Sequence, residues 1–420
     1  LRGTGVGRIV RAVIHTFASR LASIALPLVV LGAPTGCGSS SAGSGPTPNE
    51  EAGTSAGDLP GGAIDTTPLA VASMPSEKWT WVPVKGSQCR DGSATGFGIN
   101  VNPASKNLMI FLEGGGACFN ALTCGMNPAN FNSSTLSTAA SGGILSRTDM
   151  ANPVKDWNMV YVPFCTGDVF AGNAPDTVVP GVAGKQQFVG YVNMTRYLAK
   201  LAPAFKDASK ILLTGISAGG FGAAANYPQT ATAFAPIPVY SLDDSGPPME
   251  DPYVPACLQQ KWSDLWGFQK TILADCGSDC PDKTNYTLAA TIHTAKKYPN
   301  IPFGLVEDTD DSVITLFYGF GMMNCTTPLG RVDQATFTAG LLDERAKLAA
   351  AGVTNAAGFI FQGTAHTSLH AGTFDTVTAG GTASGDGGVE GGSGEAGASV
   401  VLSDWVTNLV NNGVVTNVGP

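Results

Sequence analysis

Gly215-Ile216-Ser217-Ala218-Gly219 sets one serine between two glycines, behind the apolar run 211–214 and ahead of an alanine-rich stretch. A serine in that spacing is suited to attack on a carbonyl. The sharp strand-to-helix turn presents its hydroxyl alone, and a Cβ on either flanking residue would collide with the turn. Gly-x-Ser-x-Gly arises by chance in a chain with 54 glycines, so the flanks decide, and here both fit. The hydroxyl is a poor nucleophile at neutral pH and needs a base to take its proton and a carboxylate to orient that base. Of four histidines, His15 lies in the arginine-bearing N-terminal segment, leaving His293, His366 and His370. His293 sits inside a helical pattern and reads as a solvated helix-face residue. His366 follows the apolar run 358–361 across Gln362-Gly363-Thr364-Ala365. That is where the base of a Ser, acid, His order belongs, and it is preferred to His370.

The acid should lie between Ser217 and His366, just past a strand. Glu307-Asp308-Thr309-Asp310-Asp311 follows the run 302–306 and offers four carboxylates that spacing does not rank. Asp244 is a rival one strand earlier. An oxyanion needs backbone N–H donors: the N–H of Ala218 is one, and the loop Leu112-Glu113-Gly114-Gly115-Gly116 supplies the others. As a phosphate cradle that loop is weak, because no Gly-Lys-Ser/Thr follows it. Cys276 and Cys280 have the spacing of half a zinc site, but the scarcity of histidine and the lack of a matching second pair argue against a metal. No cofactor is expected.

Strand patterns at 79–84, 108–112, 159–164, 211–214, 238–242, 302–306 and 358–361 alternate with helical patterns at 186–202, 219–227, 284–298 and 334–351. This alternation predicts an α/β fold, α/β-hydrolase-like, with a mostly parallel sheet covered by helices on both faces. Functional groups then belong at the carboxyl ends of the strands.

Residues 1–36 carry Arg2, Arg8, Arg11 and Arg20, no acid, and an apolar core at 21–31. That core is shorter than the ~20 residues a bilayer requires, so the segment reads as an export signal. It ends in Gly36-Cys37, which is similar to a bacterial lipoprotein processing site and would leave Cys37 acylated. Residues 37–66 read as a flexible linker, 67–377 as the catalytic domain, 378–399 as a disordered glycine-rich insertion, and 400–420 as a terminal helix returning to the domain, with Ser403 near its start and Gly413 at its end. Nine cysteines less Cys37 leave eight, which can pair completely in an oxidising compartment. The net charge is −9, and without the four signal arginines 19 basic residues face 32 acidic ones, or −13. Such a surface repels nucleic acid and anionic membranes. The expected partners are an ester substrate, with an acetylated polysaccharide in view, and a membrane only through the lipid anchor.

Taken in order, Cys89-Arg90-Asp91-Gly92-Ser93, Leu112-Glu113-Gly114-Gly115-Gly116 with Cys118-Phe119-Asn120, Val160-Tyr161-Val162-Pro163-Phe164-Cys165, Gly215-Ile216-Ser217-Ala218-Gly219-Gly220, Asp244-Ser245-Gly246, Asp311-Ser312 and Ala365-His366 make the chain resemble the pectin acetylesterase and Notum family of extracellular carboxylesterases. The resemblance implies that the acid precedes a serine, which selects Asp311 and leaves Asp244 outside the triad. It also implies the pairs Cys118 with Cys124 and Cys89 with Cys165. Ala117 stands where the family tends to carry an aromatic, and the tract 378–399 has no counterpart. The expected activity is that of a serine carboxylesterase cleaving acyl esters, above all acetyl esters on polysaccharides, through an acyl-enzyme. Ser217, Asp311 and His366 would be catalytic, with Gly115, Gly116 and Ala218 as the oxyanion hole. A lipase-like deacylase of longer chains and a non-catalytic surface module are the alternatives. Trp79, Trp81, Trp262 and Trp266 could stack on sugars, although the i, i+4 spacing of Trp262 and Trp266 fits one buried helix face.

Overall fold

A computed structural model describes residues 59–326, 330–370, 372–380 and 399–420. The chain divides into two units, Leu1–Gly53 and Thr54–Pro420. The first, with the expected signal and Cys37, lies outside the described residues, as does most of the expected insertion.

The strands are β1 (Trp79–Gln88), β2 (Ala94–Asn100), β3 (Asn107–Leu112), β4 (Asn158–Val162), β5 (Ala174–Thr177), β6 (Gln186–Phe188), β7 (Lys210–Ile216), β8 (Val239–Asp244), β9 (Phe303–Asp308) and β10 (Ala356–Phe361). Eight of them form one sheet in the order β1-β2-β4-β3-β7-β8-β9-β10. Pairing is antiparallel at β1/β2 and β2/β4 and parallel from β4 through β10. The longer helices are α1 (Gly190–Ala204), α2 (Ala218–Phe234), α3 (Ala256–Trp266), α4 (Thr287–Lys297), α5 (Gln334–Ala350) and α6 (Leu402–Asn412). The central strands are apolar on both sides because both faces are covered. Met109, Phe111, Leu212, Leu242 and Phe359 pack with Trp405, Val406 and Leu409 of α6. Leu108, Ile110, Ile211 and Leu213 pack with Met194, Leu198 and Leu201 of α1. This is the mostly parallel, α/β-hydrolase-like sheet that the alternation of patterns predicts.

Several expectations are corrected. Residues 186–188 are strand rather than helix: the Gln187 N–H donates to the Arg90 carbonyl (2.9 Å), and the Arg90 guanidinium grips Gln186 Oε1 (2.6 Å). These bonds hold the segment extended until Gly190. Strand β2, interrupted by Gly96 and Gly98, carries no clear alternation and was not expected. Residues 60–66 are not free linker, since Arg196 donates to the carbonyls of Pro60, Gly62 and Ala63 and Lys200 pairs with Asp65 at 2.7 Å. The tract 378–399 starts with structure: β11 (Thr378–Ala379) pairs antiparallel with β12 (Val400–Val401). Helix α6 begins at Leu402, whose N–H donates to the Val377 carbonyl, so Ser403 lies inside it; Gly413 (φ +64°) ends it in the left-handed conformation.

Candidate active site

Strand β7 ends at Ile216 and is followed by Ser217, whose backbone (φ 54°, ψ −120°) is neither strand nor helix. Its N–H donates to the Asp244 carbonyl at the end of β8 (2.7 Å). The flanking glycines are required by contact. A Cβ on Gly215 would lie 2.3 Å from the Gly219 carbonyl oxygen, and one on Gly219 would lie 2.0 Å from the Leu112 carbonyl oxygen. The turn thus packs directly on β3, and α2 starts with free N–H groups at the serine, a favourable place for negative charge.

The loop after β3 lies against the same residue: a Cβ on Gly114 would stand 3.2 Å from the Ser217 Cβ. Asn127 Nδ2 donates to the Gly115 carbonyl (2.6 Å), and Glu113 Oε2 accepts from the Phe164 N–H (2.9 Å). Both hold the loop from behind. Neither residue was expected, although Glu113 sits within the glycine run that drew attention to the loop. The N–H groups of Gly115 and Gly116 donate to no acceptor among the described residues.

Past the end of β9 the chain turns through Asp311. Its Oδ1 accepts from the N–H groups of Val313 and Ile314 (2.7 and 2.8 Å), and its Oδ2 bonds His366 Nδ1 at 2.7 Å. Burial pushes this fully buried carboxyl up, but the bond and charge of His366 and the two N–H groups outweigh burial and hold it below the ordinary range. Glu307, buried beside it, is pushed well up by burial and by the Asp311 charge. Asp308 Oδ2 accepts from the Ala365 N–H (2.8 Å). Asp310 pairs with Arg331 at the surface. Of the four carboxylates that spacing left open, one touches the imidazole. No hydrogen bond joins Ser217 Oγ to His366 among the described residues; in free enzymes such bonds are often long and tighten with substrate.

Asp244, the rival acid, reaches the same loop from β8. Its Oδ2 accepts from the N–H groups of Ser368 and Leu369 (2.7 Å each), its Oδ1 from the Ser245 hydroxyl (3.1 Å), and Ser245 Oγ accepts from the Thr367 N–H (3.2 Å). Burial raises Asp244 to about 6 despite these donors and the His366 charge. His370 packs against the Phe111 ring with centroids 5.7 Å apart, and burial lowers its pKa. His293 is not a solvated helix-face residue: its Nδ1 bonds Asp279 Oδ2 at 2.8 Å, Asp275 flanks its Nε2 at 3.6 Å, and it is mostly buried.

A cavity of about 150 Å³ opens beside Ser217. One wall is the α2 face Ala218, Phe221, Ala224, Ala225 and Pro228; Ile314, Phe317 and Tyr318 contribute, as do Trp262 and Trp266 of α3. The two tryptophans stack on each other, centroids 6.0 Å apart. They share one helix face, as their spacing implies, and that face lines the cavity. Trp79 and Trp81 pack on Tyr161 and Phe131 instead. Ala117 lines the cavity, where its small side chain leaves room an aromatic would fill.

All eight cysteines after Cys37 are paired. Cys89–Cys165 and Cys118–Cys124 are the pairs the resemblance implies, and Cys257–Cys325 and Cys276–Cys280 complete the set. Cys276 and Cys280 are therefore not zinc ligands. Four disulfides in one domain belong to an oxidising compartment, so the chain is exported.

The family model described as Pectinacetylesterase matches residues 77–314. The chain belongs to the pectinacetylesterase family. The match spans the glycine loop, the elbow and Asp311 and stops before His366, which this family member brings in from beyond β10. Among relatives, it is 35% identical over 171 residues to palmitoleoyl-protein carboxylesterase notum2 of Xenopus laevis, covering 38% of this chain and 34% of that protein. It is 28% identical over 232 residues to the Drosophila melanogaster palmitoleoyl-protein carboxylesterase NOTUM, covering 49% and 34%. The matched part thus spans about a third of those relatives' length. A crystal structure of the Wnt deacylase Notum from Drosophila superposes with a TM-score of 0.51 at 21% identity, covering 72% of this chain and 89% of that one; it shares the fold. This pectinacetylesterase-family member has the architecture of a serine hydrolase of the carboxylesterase kind.

Proposed function

We propose that this pectinacetylesterase-family member is a serine carboxylesterase that removes a long apolar acyl chain. One observation carries the reading: the apolar cavity that begins at Ser217. Along α2 it runs from Ala218 to Pro228, which at 1.5 Å per residue is about 15 Å. An acetyl group would occupy only its mouth, leaving the aromatic walls without contacts. The expectation of acetyl esters on polysaccharides has the family's description in its favour. The deacylase alternative has the cavity, and relatives named palmitoleoyl-protein carboxylesterases. A chain at −13 beyond its signal also meets polyanionic pectin with a repulsive field.

In the proposed reaction Ser217 Oγ attacks the ester carbonyl while His366 Nε2 takes its proton. Asp311, on Nδ1, fixes the tautomer and stabilises the imidazolium. The N–H groups of Gly115, Gly116 and Ala218 receive the oxyanion. Collapse expels the alcohol, protonated by His366, and leaves the acyl chain on Ser217 in the cavity. Water, deprotonated by His366, then releases the acid. The export route belongs to the same proposal: Cys37 is acylated after signal removal and tethers the enzyme to a membrane. Hydrolysis of an aryl octanoate by the parent and by Ser217→Ala tests the core of this reading. The variant should fold and be inactive, and turnover retained in a folded Ser217→Ala protein refutes it.

A further inference from the structure

The nucleophile and base of the proposed esterase come from loops about 150 positions apart in sequence, and one residue outside the triad bonds to the backbone of both loops. We infer that Asp244, with Ser245, is the positioning residue that registers His366 against Ser217. The inference rests on the esterase reading. The Asp244 main-chain carbonyl receives the Ser217 N–H at 2.7 Å. Its side chain receives the N–H groups of Ser368 and Leu369, each at 2.7 Å, and Ser245 Oγ receives that of Thr367 at 3.2 Å. Three consecutive N–H groups immediately after His366 are thus held by Asp244, the last residue of β8, and Ser245, the residue after it. Ahead of the histidine, Asp308 holds Ala365.

Beyond position 368 the loop is anchored by burial of Leu369 in the core and by its carbonyl, which accepts the Ile144 N–H at 2.7 Å; between His366 and that anchor, the backbone N–H groups of 367–369 are held by Asp244 and Ser245. Ser245 and Thr367 both have positive φ (64° and 67°), uncommon for residues with side chains and sustained only where surroundings over-determine them. Ser368 and Leu369 are buried, so their N–H groups, without Asp244, would lose their partner away from water. A buried carboxylate that accepts two N–H bonds is a rigid fixture, and rigidity here sets the approach of the His366 ring to Ser217 Oγ. Asp311 bonds the imidazole, and Asp244 at the end of β8 is close enough for the His366 charge to favour its charged form; Glu307 and Asp308 at the end of β9 lie beside Asp311.

The test uses the full chain with a soluble aryl ester, reading kcat, KM, the rate of Ser217 labelling by a fluorophosphonate, and the melting temperature. Asp244→Ala removes the acceptors and should lower kcat by about 100-fold, the scale of a 1 Å misplacement, with KM little changed and labelling slowed in parallel. Asp244→Asn keeps an acceptor oxygen and removes the charge. Its loss should be smaller than that of Asp244→Ala, again with KM little changed, because one side-chain oxygen still accepts the loop N–H groups. Ser245→Ala removes the Thr367 contact without touching the carboxylate, and it decides should the Asp244 variants fail to fold: kcat should fall about fivefold or more with KM little changed. Parent-like kcat in folded Asp244→Ala, or in Ser245→Ala where no Asp244 variant folds, overturns the inference. So does a kcat loss in folded Asp244→Asn that equals the loss in folded Asp244→Ala. Loss of activity in Ser217→Ala alongside unaffected Asp244 variants removes this inference and leaves the esterase reading intact, whereas turnover in Ser217→Ala removes both.

Discussion

Narrowing the cavity should change chain-length preference without changing the chemistry. Ala225 faces the cavity from α2, eight residues beyond Ser217, or about 12 Å along the helix. A zigzag chain of C–C bonds near 1.5 Å advances about 1.25 Å per methylene, so the 15 Å wall accommodates about twelve carbons. A phenyl ring at position 225 reaches back across the channel and leaves room for about eight. Ala225→Phe thus removes about four methylene sites, each worth at most ~0.8 kcal/mol when buried. That is ~3 kcal/mol, or roughly 200-fold in kcat/KM for a dodecanoyl ester, and roughly 15-fold if the chain realises half of it. Acetyl and butyryl esters do not reach the ring and should react as with the parent. The assay is steady-state hydrolysis of p-nitrophenyl esters from two to twelve carbons below their micellar concentrations. In the parent, kcat/KM should climb with length by up to about fourfold per methylene. A flat or falling parent profile, or equal losses on acetate and dodecanoate in the variant, refutes the acyl-channel reasoning.

Asp311→Asn should cost about 10⁴ in kcat, because the amide favours the wrong imidazole tautomer. Asp310→Asn, which loses only a surface ion pair with Arg331, should behave like the parent, and equal kcat losses would show that the acid is misassigned. Glu344 is held by burial at about 8, against 4.5 in the open chain, so the folded state keeps a proton that unfolding releases. Stability from this group falls as pH rises from 4.5 to 8 and levels off above, by an amount on the order of a few kcal/mol. Glu344→Gln should therefore gain melting temperature over the parent as pH goes from 6 to 9, and a difference that fails to widen in calorimetry argues against it. Finally, cells fed a labelled fatty acid should incorporate label into the parent and not into Cys37→Ala, which should leave the membrane fraction. Equal labelling would exclude Cys37 as the anchor.

Local signals sufficed where chemistry and backbone geometry share a short stretch. The elbow is legible because Gly215 and Gly219 are demanded by contacts within a few residues of Ser217, and the central strands because both faces of a covered sheet must be apolar. His366 could be selected because histidines are scarce and strand order restricts where a base can stand. Residues 186–188 misled because their extended form is imposed by Arg90, some 97 positions away. The remaining two disulfides were beyond reach because parity says that cysteines pair and not with which partner.

What only the tertiary structure decided are relations between segments that no local pattern encodes. Spacing does not rank Glu307, Asp308, Asp310 and Asp311; the family resemblance points to Asp311, and the 2.7 Å contact with His366 supplies the physical reason that no local pattern carries. The apolar cavity beside Ser217 is assembled from α2, α3 and the short helix Ile314–Gly319, none of which marks itself as a wall. Asp244 was legible as a carboxylate after a strand, but its grip on the histidine loop depends on β8 lying between β7 and β9, an order set by how the sheet buries its two faces. Sequence determined which reactive groups the chain carries and the local turns that present them. Folding determined their distances, and distance decides which of them act together.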